Sequence, residues 1–270
     1  MSGGSLYAEF VDADEHRLLV TWRLPQATVV GTVLVVPALA EEMNKCRPIL
    51  RDLGQRLGSS GWALCIPDLT GTGDSEGRYE AAGIDRWCRD LESVAQHAEA
   101  RVGPVSVCLA VRAGALIAAR WLSVSGQSIG KLVLWQPVAN GNQVVNQWLR
   151  LRAMASMFDG RESVSKRSLR EMLNQGSTIE CGGYRLTARF ARELEALNQT
   201  APPTIDTMVV MEIGGLDRPS AACGAPLESG SHARCVRVPG EPFWSSTEIV
   251  RNDALVQETV EAITGREPPP

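Results

Sequence analysis

Val105-Ser-Val-Cys-Leu-Ala-Val111, then Arg112-Ala-Gly114, then Ala115-Leu-Ile-Ala-Ala-Arg-Trp-Leu122 is the stretch whose reading decides the fold. A short, wholly apolar run bounded by turn residues reads as a buried strand, and the Ala/Leu-rich run after it reads as a helix. Between them Ala110-Val111-Arg112-Ala113-Gly114 has small residues two places before and two places after its centre. That pattern permits the sharp strand-to-helix turn on which hydrolytic enzymes present a nucleophilic serine. Here the centre is Arg112, which has no nucleophilic oxygen. The architecture is legible, and the expected chemistry is missing.

Outward from this unit, strands and helices alternate. His16–Leu24 reads as an entry strand, Val29–Val36 as a buried β-branched strand, Arg47–Gly58 as a helix and Ala63–Pro67 as a strand. Gly83–Arg101 has Ile84, Trp87, Cys88, Leu91, Val94, Ala95 and Ala98 at helical spacing, and Lys131–Trp135 reads as the next strand. The alternation then breaks over Asn140–Asn198, where Gln143–Phe158, Ser168–Asn174 and Thr187–Leu197 are helix-like with no clear strand between them. It resumes with strands Thr207–Ile213 and Arg234–Val238 and a closing helix near Asn252–Thr264; the tail Glu267–Pro270 reads as disordered. The expectation is an α/β-hydrolase fold: a mostly parallel sheet flanked by helices, with a core of residues 1–139 and 201–270 and a helical cap inserted at 140–200.

Composition narrows the function classes. The chain has 270 residues, 44% hydrophobic and 21% charged, which fits a globular domain. A net charge of −4 gives no footprint for nucleic acid. The longest apolar-rich run, Ala27–Val36, is far short of the roughly 20 residues a membrane helix needs, and Met1–Phe10 lacks the pattern of a signal peptide. Seven cysteines with no C-x-x-C pair read as reduced core thiols, which points to the cytoplasm. Three scattered histidines give no metal-ligand spacing, so neither metal nor cofactor is expected.

Ligands of such sheets bind where the strands end, so Pro37–Arg47, Asp68–Ser75, Val111–Gly114, Glu212–Arg218 and Gly240–Trp244 converge on one crevice. Asp68-Leu-Thr-Gly-Thr-Gly-Asp-Ser75 suits a structural loop in which Asp68 binds backbone N–H groups. Pro37–Lys45 occupies the place of an oxyanion-hole loop but carries Glu41, Glu42, Asn44 and Lys45; it reads equally as a solvated charged loop capping the 47–58 helix and as a functional cluster beside Arg112. After Val238, Glu241 or Pro242 stands where a catalytic histidine belongs. His232 precedes that strand and lies at the opposite end of the sheet, about six residues and some 20 Å from the crevice at ~3.3 Å per residue. His16 and His97 read as structural or solvated. Asp217 matches the loop that often carries a triad acid.

Several stretches together resemble the α/β-hydrolase-fold proteins called exosortase A system-associated hydrolase 2. They are Ala40-Glu-Glu-Met-Asn-Lys45, Val111-Arg-Ala-Gly-Ala115, Leu134-Trp-Gln-Pro137, Gln147-Trp-Leu-Arg-Leu-Arg152, Gly183-Tyr-Arg-Leu186, Phe243-Trp244 and Glu248-Ile249. That family also has Arg at the elbow. The resemblance implies a link to exopolysaccharide gene clusters and PEP-CTERM sorting in Gram-negative bacteria, and implies hydrolysis by fold analogy only.

Arg112 needs either an internal carboxylate (Glu41, Glu42, Asp217 or Glu241) or an anionic ligand, since it opens a helix whose free N–H groups favour anions. Serine hydrolysis lacks both nucleophile and base. An atypical hydrolase could use Glu41 or Glu42 as general base on water, with Arg112 stabilising an oxyanion and Asp217 and Glu241 as further acids. Its substrate would be an anionic or acylated ester or thioester, bound by Asn44, Lys45, Arg112, Trp135, Gln136, Phe243 and Trp244. The alternative is a non-catalytic protein that binds an anionic metabolite or docks a pathway enzyme.

Overall fold

The 105–111 run forms a strand inside an eight-stranded sheet, with neighbours on both sides. The computed structural model describes residues 4–157, 164–198, 205–214 and 232–265. Before the elbow come β1 (Ser5–Ala13), β2 (His16–Leu24), β3 (Gly31–Val36), α1 (Glu41–Ser59), β4 (Trp62–Pro67), α2 (Ile84–Val102) and β5 (Val105–Val111). After it come α3 (Gly114–Ser125), β6 (Ile129–Trp135), α4 (Gly141–Ser156), α5 (Lys166–Asn174), β7 (Ile179–Cys181), β8 (Tyr184–Leu186) and α6 (Ala188–Glu195). The chain closes with β9 (Ile205–Ile213), β10 (His232–Val238), a 3-10 turn at Phe243–Ser245 and α7 (Asp253–Thr264).

The sheet order is β1-β2-β4-β3-β5-β6-β9-β10. The first two strands run antiparallel, and every pair from β4 to β10 is parallel. Side chains alternate across a strand. Leu34, Val36, Cys108 and Ala110 accordingly pack against α2 and α3 on one face, while Val33, Val35, Leu109 and Val111 pack against α1 and α7 on the other. A sheet covered on both faces explains why its strands read as unbroken apolar runs. This is the expected α/β-hydrolase topology, with α4, α5, α6 and a small hairpin inserted as a cap between β6 and β9.

Four expectations need correction. Strand β1 was not anticipated, because most of its side chains are exposed and leave no core periodicity. Its anchor is Glu9, which accepts from Trp22 Nε1 and pairs with His97 at 2.9 Å; His97 is therefore a structural partner. The cap does contain strands: β7 and β8 pair across Gly182-Gly183, both at positive φ, the Gly-Gly signature of a tight hairpin. Three-residue strands are too short for periodicity to show. Next, Cys46, Cys65, Cys88, Cys108 and Cys181 are buried free thiols, but Cys235 is disulfide-bonded.

The fourth correction bears on function. Helix α1 starts at Glu41, so the expected charged loop of residues 41–45 is helical and Pro48 lies inside the helix. A proline usually marks a first turn, which is why the sequence reads as a helix starting at Arg47. Burial of Met43 and Cys46 on the core side of the added turns outweighs the lost hydrogen bond.

Gly114 is the packing constraint at the elbow. A Cβ there would lie 2.4 Å from Pro37 O and 2.6 Å from Val36 O, both backbone atoms that cannot swing away. Gly114→Ala should therefore cost about 1–3 kcal/mol or more. Urea unfolding measures this, and a wild-type midpoint would refute the close approach.

Candidate functional site

Three non-glycine residues with positive φ stand together at the strand ends: Ala40 at 53°, Arg112 at 54° and Gln136 at 41°. Each such residue costs about 1–3 kcal/mol and persists only when its surroundings hold it. The Arg112 N–H donates to Trp135 O at 2.9 Å, and the Gln136 N–H to Met211 O at 2.8 Å. The Gln136 side chain accepts from Ile213 N at 2.6 Å, which locks the end of β6 to the end of β9. The sharp turn of a nucleophile elbow is thus fully built, with Arg112 at its apex.

The guanidinium is enclosed on three sides. Nε donates to Glu42 Oε2 at 3.2 Å and Nη2 to Glu42 Oε1 at 3.4 Å. Nη1 donates to the Gln136 carbonyl at 3.1 Å, and the Trp244 ring covers the group, 4.6 Å from centroid to Cζ. The two side chains of the ion pair are 9% and 14% exposed. Gln147, on the cap helix α4, donates to Glu42 Oε1 at 3.1 Å and closes the arrangement from above. Arg112 is therefore neutralised by a protein carboxylate. Of the four candidates, Glu42 takes that place because the longer α1 brings its first turn over the elbow.

The other expected site residues separate. Glu241 is exposed and has no contact with Arg112. Asp217 lies outside the described residues. Trp135 is fully buried on the far face, donating to Thr259 Oγ1 at 2.9 Å, and Phe243 packs edge-on against it. Both belong to the core and not to a binding surface. Gln136 acts through its carbonyl on Arg112, as a support. Asn44 is exposed and lies beside a neighbouring groove that Tyr184 also lines. Asp68 is the loop anchor expected, holding Asp74 N at 3.1 Å and Arg47 at 2.7 Å.

Glu41, Glu42, Lys45 and Trp244 do meet, in a cavity of about 360 Å³ between α1, the cap and the 3-10 turn. The cap contributes Gln147, Trp148, Leu151 and Arg152, with Cys181 from the hairpin. None of these cap residues was singled out as a site residue, although the Gln147–Arg152 stretch carries part of the family resemblance. Their helical period reads equally well as a core face. Burial pushes the Cys181 thiol up to about 11. Burial, reinforced by Glu42, also raises Cys46, whose Sγ donates to the Glu42 carbonyl at 3.0 Å. Neither cysteine supplies a thiolate near neutral pH. Among the described residues no group of His, Cys, Asp and Glu is arranged to hold a metal.

Breaking a buried pair from one side leaves a buried charge uncompensated, at about 3 kcal/mol or more. Arg112→Met and Glu42→Gln should each destabilise by about that amount, and the double variant should recover about 1–3 kcal/mol through coupling. Glu241→Gln should be additive with Arg112→Met. Chemical unfolding of the wild type and these five variants, the Arg112→Met/Glu241→Gln double among them, checks this, and coupling to Glu241 in place of Glu42 would reverse the assignment.

Comparison with known proteins agrees with this fold. Residues 27–177 match the family model described as "Serine aminopeptidase, S33". No curated protein sequence matches the chain. Among solved structures, Est1E from Butyrivibrio proteoclasticus, bound to ferulic acid, superposes with a TM-score of 0.62 at 14% identity, covering 96% of this chain and 99% of that one. A thermostable carboxyl esterase from Bacillus coagulans gives 0.59 at 12% identity, covering 97% and 98%. The thioesterase domain from the curacin biosynthetic pathway gives 0.53 at 15%, covering 97% and 99%. At such identities these likenesses establish the fold alone. The family match covers more than half of the chain, and the protein belongs to the α/β-hydrolase-fold family described as serine aminopeptidase, S33.

Proposed function

We propose that this protein binds an acyl-type small molecule, an ester or thioester or its acid, in the cavity between α1 and the cap, without serine chemistry. The observation that carries the reading is the engagement of Arg112 by Glu42, the Gln136 carbonyl and Trp244. An arginine so held cannot turn to a substrate oxyanion unless Glu42 lets go, so the elbow serves as a structural post beneath the ligand. The cavity walls from Leu39, Trp148, Leu151, Ala155 and Trp244 are apolar, as an acyl group requires. The esterase and thioesterase structures of the same fold support that ligand class.

One observation favours a second reading, hydrolysis. The Glu42 carboxylate lines the cavity as well as pairing with Arg112, so it could act as general base on a water directed at a bound ester or thioester. Glu41 stands beside it.

The motif resemblance supports a setting in an exosortase A-linked exopolysaccharide system. The ligand there would be an acylated or anionic intermediate, or a pathway enzyme would be docked. No helix among the described residues is long and apolar enough to cross a membrane. Free buried thiols accord with a cytoplasmic location, and the Cys235 disulfide is the feature set against it.

A medium-chain acyl thioester should raise the melting temperature of the wild type and be recovered intact. Fluorophosphonate probes should leave residues 106–115 unlabelled, and Arg112→Ser should gain no p-nitrophenyl ester turnover, since a missing base alone forfeits ~10²–10⁴-fold. Wild-type turnover that collapses in Glu42→Gln would establish the second reading. Neither binding nor turnover of any acyl compound would refute both.

A further inference from the structure

We infer that Lys45 is the anchor for an anionic head group, so that the cavity selects acyl chains ending in a carboxylate over neutral chains of the same length. This rests on the acyl-binding reading above and specifies its ligand. Three cations border the cavity: Lys45 and Arg152 are in its lining, Arg152 with contacts of its own, and Arg112 stands beneath it. Arg112, beneath it, is spent on Glu42. Lys45 is half-buried, lines the cavity and donates its Nζ to the Ser246 carbonyl, a neutral acceptor; among the described residues it has no carboxylate partner.

The absence of a partner is informative because one stands in reach along the helix. Glu41 and Lys45 are four residues apart on α1, in the orientation that favours a helical ion pair. They do not pair. Lys45 turns instead across the cavity rim toward the chain after the 3-10 turn. A partly desolvated ammonium satisfied by a single neutral carbonyl gains most from an incoming anion.

The remaining lining fits the rest of such a ligand. Leu39, Trp148, Leu151, Ala155 and Trp244 offer an apolar channel. A volume of about 360 Å³ holds roughly 12 water-sized groups at ~30 Å³ each, which corresponds to a medium chain. A carboxylate at the end of such a chain is also the acid that an ester or thioester of this class releases.

The test uses decanoate and its neutral counterpart decanol with the full-length protein, followed by titration calorimetry and by the fluorescence of Trp148 and Trp244, which line the cavity. Decanoate should bind at least tenfold more tightly than decanol, and added salt should weaken decanoate alone. Lys45→Met should abolish the preference while leaving decanol binding in place, and Lys45→Arg should restore it. Equal binding of the two compounds by the wild type, or an undiminished preference in a folded Lys45→Met protein, overturns the Lys45 assignment and leaves the acyl cavity standing. Failure of both compounds to bind a folded wild type overturns the acyl cavity itself, and this inference with it.

Discussion

A guanidinium at the sharpest turn of a buried sheet has to be neutralised where it stands, and the Arg112–Glu42 pair meets that constraint. The pair draws three distant segments together. Glu42 reaches the elbow because α1 begins at Glu41. Gln147 reaches Glu42 from the cap, and Trp244 reaches Arg112 from beyond the tenth strand. The position that presents a nucleophile in a serine hydrolase here ties sheet, cap and C-terminal segment to one charge. A buried ion pair is weak evidence for net stability, because desolvation offsets much of the attraction. What it does impose is geometry: any placement of the first turn of α1 that leaves Glu42 off Arg112 strands a charge.

The elbow has kept its shape without its nucleophile. Arg112 still has a φ of 54°, a conformation unfavourable for a side chain that is not glycine. The packing around it accounts for this. Gly114 passes against the carbonyls of Val36 and Pro37, and the N–H groups of Arg112 and Gln136 are held by Trp135 and Met211. The strand-to-helix turn is thus a requirement of how β5 leaves the sheet and enters α3. Catalysis in related folds exploits that turn, and the turn does not depend on it.

The fold was largely legible because its signals are local and repeated: apolar runs for strands covered on both faces, a 3.6-residue period for α2, small residues at the elbow. What escaped notice had weak local signals. β1 is an exposed edge strand, and the cap hairpin has three residues per strand. At the site, the sequence could place Glu41, Glu42, Asp217 and Glu241 on converging segments but could not rank them against one another. That ranking depended on where α1 starts, and Pro48 points to the wrong turn. Trp135 and Phe243 misled for a different reason. Their positions at strand ends are those of lining residues, but the alternation of the sheet turns Trp135 to the far face, where Phe243 packs on it.

The charges around the cavity then follow from the same start of α1. Had the helix begun at Arg47, Glu41, Glu42 and Lys45 would have lain on one solvated loop and compensated one another. Folding them into a helix separates them by register. Glu42 turns inward to Arg112, Glu41 stays exposed at the cavity, and Lys45 is left on the rim with a carbonyl for a partner. The cation at the elbow is thereby cancelled, while Lys45, three residues after Glu42 on α1, lines the mostly apolar cavity. Positive charge is thus neutralised at the elbow and left uncompensated by a carboxylate at the cavity rim, the distribution that the proposed acyl-binding function requires.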